Sequence, residues 1–202
     1  MMGHRILARS ATILILAAAL LAGIGCGGGS DTTTTSGPTA VFTPDTASPG
    51  AGTIALLSGT GNGAAITVRV TVTGVNSFFG TAFRIQYDPL ALLFTGMTTT
   101  GSFLRDNVTD ADVLFSEDHA SVPGEVVITA TRLNPTTALP VDVTATSDLL
   151  VLSFTARKVI VAASTEGRLD FGDPKQVCDG TVSGSGCGPI AVTWSGGGVS
   201  AQ

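Results

Sequence analysis

From residue 53 onward, apolar and polar residues alternate with a period of two, in short runs separated by clusters of turn residues. In "AAITVRVTVTG", Ile66, Val68, Val70 and Val72 fall on one face of an extended chain, opposite Thr67, Arg69 and Thr71. The stretch "FFGTAFRIQYDPLALLFTG", residues 78–96, repeats the pattern. Phe83, Ile85 and Tyr87 share its inward face, and Ala82, Arg84 and Gln86 its outward one. Pro89 then excludes the helical region for Asp88 and ends the ladder. Asp88 is placed to cap a single helical turn with proline at its first position, a spacing that returns Leu90 and Leu93 to the core.

The runs "TIALLSG", "LLFTGMTTT", "ADVLFSED", "EVVITATRL", "LLVLSFTAR", "GRLDFGD" and "IAVTWSGGGVS" are rich in Val, Ile, Thr and Phe. Turn clusters such as "GTGNGA", "SVPGE" and "LNPTTALP" divide them, and no segment of useful length has a helical period. About nine short strands, each with one buried face, predict an all-β sandwich.

Residues 1–25 read differently. Arg5 and Arg9 precede the apolar run "ATILILAAALLAGIG", which is too short to span a bilayer and ends in small residues at Cys26. This is an export signal, and its end is similar to the lipobox of bacterial lipoproteins, with Gly23 where such motifs usually carry leucine. Cys26 is the predicted lipidation site, and plain secretory cleavage is the alternative. Residues 26–38, "CGGGSDTTTTSGP", form a polar tether, and residues 39–202 the folded domain.

The chain has three cysteines, and an odd number in an exported protein needs a reason. Acylation of Cys26 leaves Cys178 and Cys187 as a disulfide pair closing the turn-rich run "CDGTVSGSGC". Two free thiols are the alternative.

With 10 basic and 15 acidic residues the net charge is −5, and loss of Arg5 and Arg9 makes it more negative. A mildly acidic chain without a basic stripe is a poor nucleic-acid binder. Reactive groups are few, so no catalytic residue, cofactor or metal is assigned. Beyond the signal, His119 is the only histidine, in "SEDHA" beside Glu117 and Asp118. Neighbours on a strand point to opposite faces, so a solvated loop is expected there. Asp106, Asp110 and Asp112 supply oxygen donors without the spacing of a calcium loop. "DFG" at 170–172 lacks the other kinase motifs.

Four segments in this order, "ITVRVTVTGV", "GTAFRIQYDPLALLFTG", "DLLVLSFTAR" and "VTWSGGGVSA", resemble the cohesin domains of cellulosome scaffoldins over residues 53–201. The resemblance implies a nine-stranded jelly-roll sandwich, related in fold to carbohydrate-binding modules. It also implies a non-catalytic role in polysaccharide degradation or cell-surface assembly. The implied partner is a dockerin-like, calcium-loaded helical module held on one sheet face. Many cohesins carry Asn and Asp on the outward side of the strand leading to Tyr-Asp-Pro. Here Gly80 and Ala82 stand at those positions, leaving Arg84 and Gln86 to make polar contacts of a different kind. Direct polysaccharide binding is the alternative, with Trp194 as the candidate ring for stacking on sugar. An envelope assembly module that binds no sugar fits the same residues.

Overall fold

The computed structural model describes residues 37–134, 136–183 and 186–202. Its strands in chain order are β1 (Ala40–Pro44), β2 (Thr53–Asn62), β3 (Ala65–Thr73), β4 (Val75–Phe78), β5 (Gly80–Gln86), β6 (Leu92–Thr98) and β7 (Val113–Asp118). They continue as β8 (Glu125–Arg132), β9 (Val141–Val143), β10 (Ser147–Ala156), β11 (Arg168–Ser183), β12 (Gly186–Ile190), β13 (Thr193–Ser195) and β14 (Gly197–Ala201). One sheet runs β1-β14-β11-β5-β8-β7, with β12 beside the second half of β11. The other runs β13-β2-β3-β10-β6, and β4 and β9 form a separate ribbon. Pairing is antiparallel throughout except between β13 and β2. This is the β-sandwich that the alternation predicts, and it is consistent with a jelly roll.

The described residues hold fourteen strands where nine were expected. Strand β1 is short and ends at Pro44, and β9 has three residues, so neither presents a readable alternation. Phe79 interrupts the run before Tyr87 and divides it into β4 and β5. The run "GRLDFGD" does not stop at Pro174, because a register shift between Gly172 and Gln176 carries β11 past it. "IAVTWSGGGVS" changes sheets: β13 pairs with β2, whereas β14 pairs with β1 and β11.

The core lies between the sheets. Ile66, Val68, Val70 and Val72 of β3 face it with Leu150, Leu152 and Phe154 of β10, against Phe83 and Ile85 of β5 and Val126, Ile128 and Ala130 of β8. Ring pairs fill its width: Phe94 meets Phe154 at 5.4 Å and Phe78 meets Phe103 at 5.2 Å, both edge-on. Tyr87 is half-buried and stands edge-on to Phe154 at 5.5 Å, and burial pushes its phenol pKa up.

The Tyr-Asp-Pro corner caps as expected, with one correction. The Leu90 N–H donates to Asp88 Oδ1 at 2.8 Å, and the Leu92 N–H to the Asp88 carbonyl at 2.9 Å. Leu90 and Leu93, however, are 76% and 41% exposed, while Ala91 and Leu92 are buried. The helical spacing does not apply, because the chain is extended again by Leu92 and the two-residue period takes over. Gly124 clamps the corner: its carbonyl accepts the Tyr87 N–H at 2.9 Å. With φ at +84°, and with a Cβ there falling 2.7 Å from the Tyr87 oxygen, only glycine fits.

Candidate partner-binding face

The register of β7, β8, β5 and β11 places outward side chains in rows across the sheet. One row is Leu114, Thr131, Gly80 and Cys178; the next is Ser116, Thr129, Ala82 and Gln176. A third is Asp118, Val127, Arg84 and Gly172, and beyond it lie Glu125, Gln86 and Asp170. Ala82 and Arg84 are half-buried and Gln86 is exposed, all on the side opposite buried Phe83 and Ile85. So alternation places these three residues on one outer face.

Arg84 is not a free cation. Its Nη1 donates to Glu125 Oε1 at 2.5 Å, and Glu125 is only 11% exposed. The pair crosses from β5 to β8 and fixes one edge of the guanidinium. The same end of the face holds Arg168, which donates to Asp45 at 2.7 and 2.8 Å and also pairs with Asp170. These bonds hold the Asp45 carboxyl below its usual range and raise the Arg168 pKa. Asp118 accepts the Ala120 N–H at 3.0 Å and the Ser121 N–H at 3.2 Å and is bonded by the Ser121 hydroxyl, which lowers its pKa.

At the other end, the rows of Gly80 and Ala82 sink into a groove of about 350 Å³. Phe79 and Leu133 flank it, and the β11–β12 hairpin forms a wall. That hairpin is closed by a disulfide between Cys178 and Cys187, with Cα atoms 5.4 Å apart. The pattern of strands does not announce the groove, because Phe79 and Leu133 lie just outside the ends of β5 and β8. The adjacent small residues Gly80 and Ala82 are the one signal the sequence carries.

Trp194 does not form a flat exposed platform. It is half-buried on β13, with its ring 4.8 Å from Phe171 and 5.8 Å from Phe83. These contacts pack part of the ring against the wall of the core. The carboxylate clusters also fail to converge. His119 Nδ1 lies 2.8 Å from Glu117 Oε2 and its ring packs on Phe94, while Asp118 turns away to its own backbone. Asp110 pairs with Arg105, and Asp112 accepts the Thr109 hydroxyl at 2.6 Å. Among the described residues no group of three acidic, His or Cys side chains is arranged to hold a metal. Cys26, the signal and most of the tether lie outside the described residues.

Two packed sheets of this topology, with a broad outer face on β11, β5, β8 and β7, define a β-sandwich module. The cohesin domain family profile matches residues 51–185, more than half of the chain, and the chain belongs to that family. Among solved structures, it is similar to the type II cohesin dyad of the adaptor scaffoldin ScaA of Acetivibrio cellulolyticus, at 15% identity and a TM-score of 0.50. That match covers 76% of this chain and 45% of the dyad. Another is the sixth cohesin of Acetivibrio cellulolyticus scaffoldin B, solved with a Cel5 dockerin mutant, at 15% identity, TM-score 0.46, and coverage of 79% and 95%. A third is CaCohA2 of Clostridium acetobutylicum, at 20% identity, TM-score 0.43, and coverage of 78% and 92%. No curated protein matches the chain.

Proposed function

We propose that the protein is an exported, non-catalytic attachment module that holds a dockerin-like, calcium-loaded protein on the outer face of β11, β5, β8 and β7. In this reading residues 1–25 are the export signal, Cys26 is acylated, residues 26–38 are a tether and residues 39–202 are the binding domain. The setting is assembly at the cell surface or in the envelope, for polysaccharide degradation or another extracellular task. Ala82, Arg84 and Gln86 are the residues of β5 that meet the partner.

The observation that carries the reading is the Arg84–Glu125 pair at 2.5 Å, set on the outer sheet face beside the small residues Gly80 and Ala82. Glu125 takes Nη1 and orients the guanidinium, so Arg84 offers its remaining Nη N–H groups as fixed donors to carbonyls of a partner. Family membership supplies the kind of partner. A dockerin-like module needs calcium to keep its shape, so a chelator is expected to release it.

The test is capture from the extracellular and envelope fractions on the immobilised protein, followed by elution with EDTA. Arg84→Gln keeps a donor for Glu125 and removes the outward N–H groups that meet the partner's carbonyls. It is expected to melt close to wild type and to weaken binding of the eluted protein about tenfold or more. Equal binding by this variant overturns the choice of face. The anchor has its own test: Cys26→Ala is expected to move the protein from the membrane fraction to the soluble one. Unchanged partition contradicts acylation at that residue.

A further inference from the structure

The groove on the outer face is built to stay open. A side chain at Gly80 would collide with Thr131 on the neighbouring strand, so the floor tolerates none. At the wall, Gly180 has φ at +79° and a Cβ there would lie 2.8 Å from the Phe79 ring, so the hairpin and the ring meet through a glycine. The lining is mostly apolar, with Phe79, Ala82, Leu133 and the disulfide around two threonines of β8. Its volume of about 350 Å³ is enough for one large side chain. Leu133 is 53% exposed, an apolar surface left facing solvent at the rim.

Four residues further along β5 the character reverses. Asp118, Glu125, Asp170 and Asp45 lie along that end with Arg84 and Arg168, and Lys175 pairs with Asp173 in the β11 bulge beside it. Each guanidinium is already paired, Arg84 with Glu125 and Arg168 with Asp45 and Asp170. That end is therefore negative. A second copy would bring the same negative surface against it, and a sugar would gain nothing from the charge. A basic protein element is the complementary occupant.

We propose, on the footing of the binding-face reading above, that the groove seats one large apolar side chain of the protein partner while a basic residue of the same partner element meets the acidic end. Four strand residues separate the two subsites by about 13 Å. On a helix lying along β5 the same-face spacing that comes nearest is seven residues, about 10.5 Å at roughly 1.5 Å each, and the long basic side chain spans the remainder. The partner is thus recognised by spacing and by sign, an apolar anchor and a Lys or Arg on one helix face.

Two helical peptides of alanine and glutamine serve as probes. Each carries one Trp, with Lys in one and Glu in the other placed seven residues on, on the same helix face. Titrated into the ¹⁵N-labelled protein, the Trp–Lys peptide is expected to shift the amides of Gly80, Ala82 and Gly180 saturably. It should bind about two- to fivefold more tightly than the Trp–Glu peptide at low salt, with the gap closing as salt is added. Ala82→Phe fills the groove and Leu133→Glu makes its rim charged. Both side chains face outward, and each variant should abolish the shifts while leaving the rest of the spectrum in place. Equal affinity of the two peptides, shifts confined to other surfaces, displacement by cellohexaose, or self-association of the protein through this face would each overturn the proposal. If Arg84→Gln loses the captured protein while Ala82→Phe keeps it, the face stands and the groove assignment falls.

Discussion

Arg132 occupies a place that hydropathy reserves for apolar side chains. It follows Val126, Ile128 and Ala130 on the inward side of β8 and is only 5% exposed. Its guanidinium donates to backbone carbonyls, through Nε to Leu104 at 3.0 Å, through Nη2 to Asp106 at 2.7 Å, and through Nη1 to Leu139. Burial lowers its pKa, and the nearby Asp106 carboxylate opposes that shift. The residue ties two loops to the end of the sandwich. Arg132→Leu fills the space but strands those acceptors, and is expected to cost about 3 kcal/mol in urea unfolding. A loss below about 1 kcal/mol would show that the loops satisfy those carbonyls in another way. Alternation alone assigns Arg132 to the inward set. Its partners are out of reach of such reasoning, because they lie in irregular segments whose path depends on the whole fold. The same limit explains Leu90 and Leu93: the cap at Asp88 follows from local chemistry, but where the turn gives way to strand does not.

Among the elements, those with long alternating runs were legible, and the short ones that close the sandwich were not. Strands β3, β5, β8 and β10 each turn a continuous apolar face inward, so period-two reasoning finds them and their buried residues. Strand β1 is recognised through its partner instead, pairing Ala40 with Ala201 and Pro44 with Gly197 at the far end of the chain. The β11–β12 hairpin lies between these cases. Its cysteines stand out in the sequence, but only the fold places them beside Gly80 as the wall of a groove. The bridge spans a sequence separation of 9, and loop-closure entropy gives it about 2.5–3 kcal/mol. Reduction is therefore expected to lower the unfolding free energy in urea by that amount and to expose both thiols to alkylation. Ready alkylation before reduction would contradict the pairing.

At the scale of the molecule, the two sheets divide the labour. The β2-β3-β10-β6 sheet and the inner face of its partner sheet enclose the core, so stability resides in residues such as Val70, Ile85 and Leu152. The outer face of β11, β5, β8 and β7 is left with the Arg84–Glu125 pair, the groove and the acidic end. Sequence alternation located Ala82, Arg84 and Gln86 on this face. The groove and the charge pairing were not legible, because they join residues from β5, β8 and β11 that are distant in the chain. Separating the two faces also separates the effects of mutation: Ile85→Asp places a carboxylate in the core and is expected to unfold the domain, whereas outward changes act on binding. The most direct measurement is amide hydrogen exchange of the protein with and without the EDTA-elutable partner. The account predicts new protection in β5, β8 and the β11–β12 hairpin, with β2, β3 and β10 unchanged. Protection confined to the outer side of β2, β3 and β10 would contradict it.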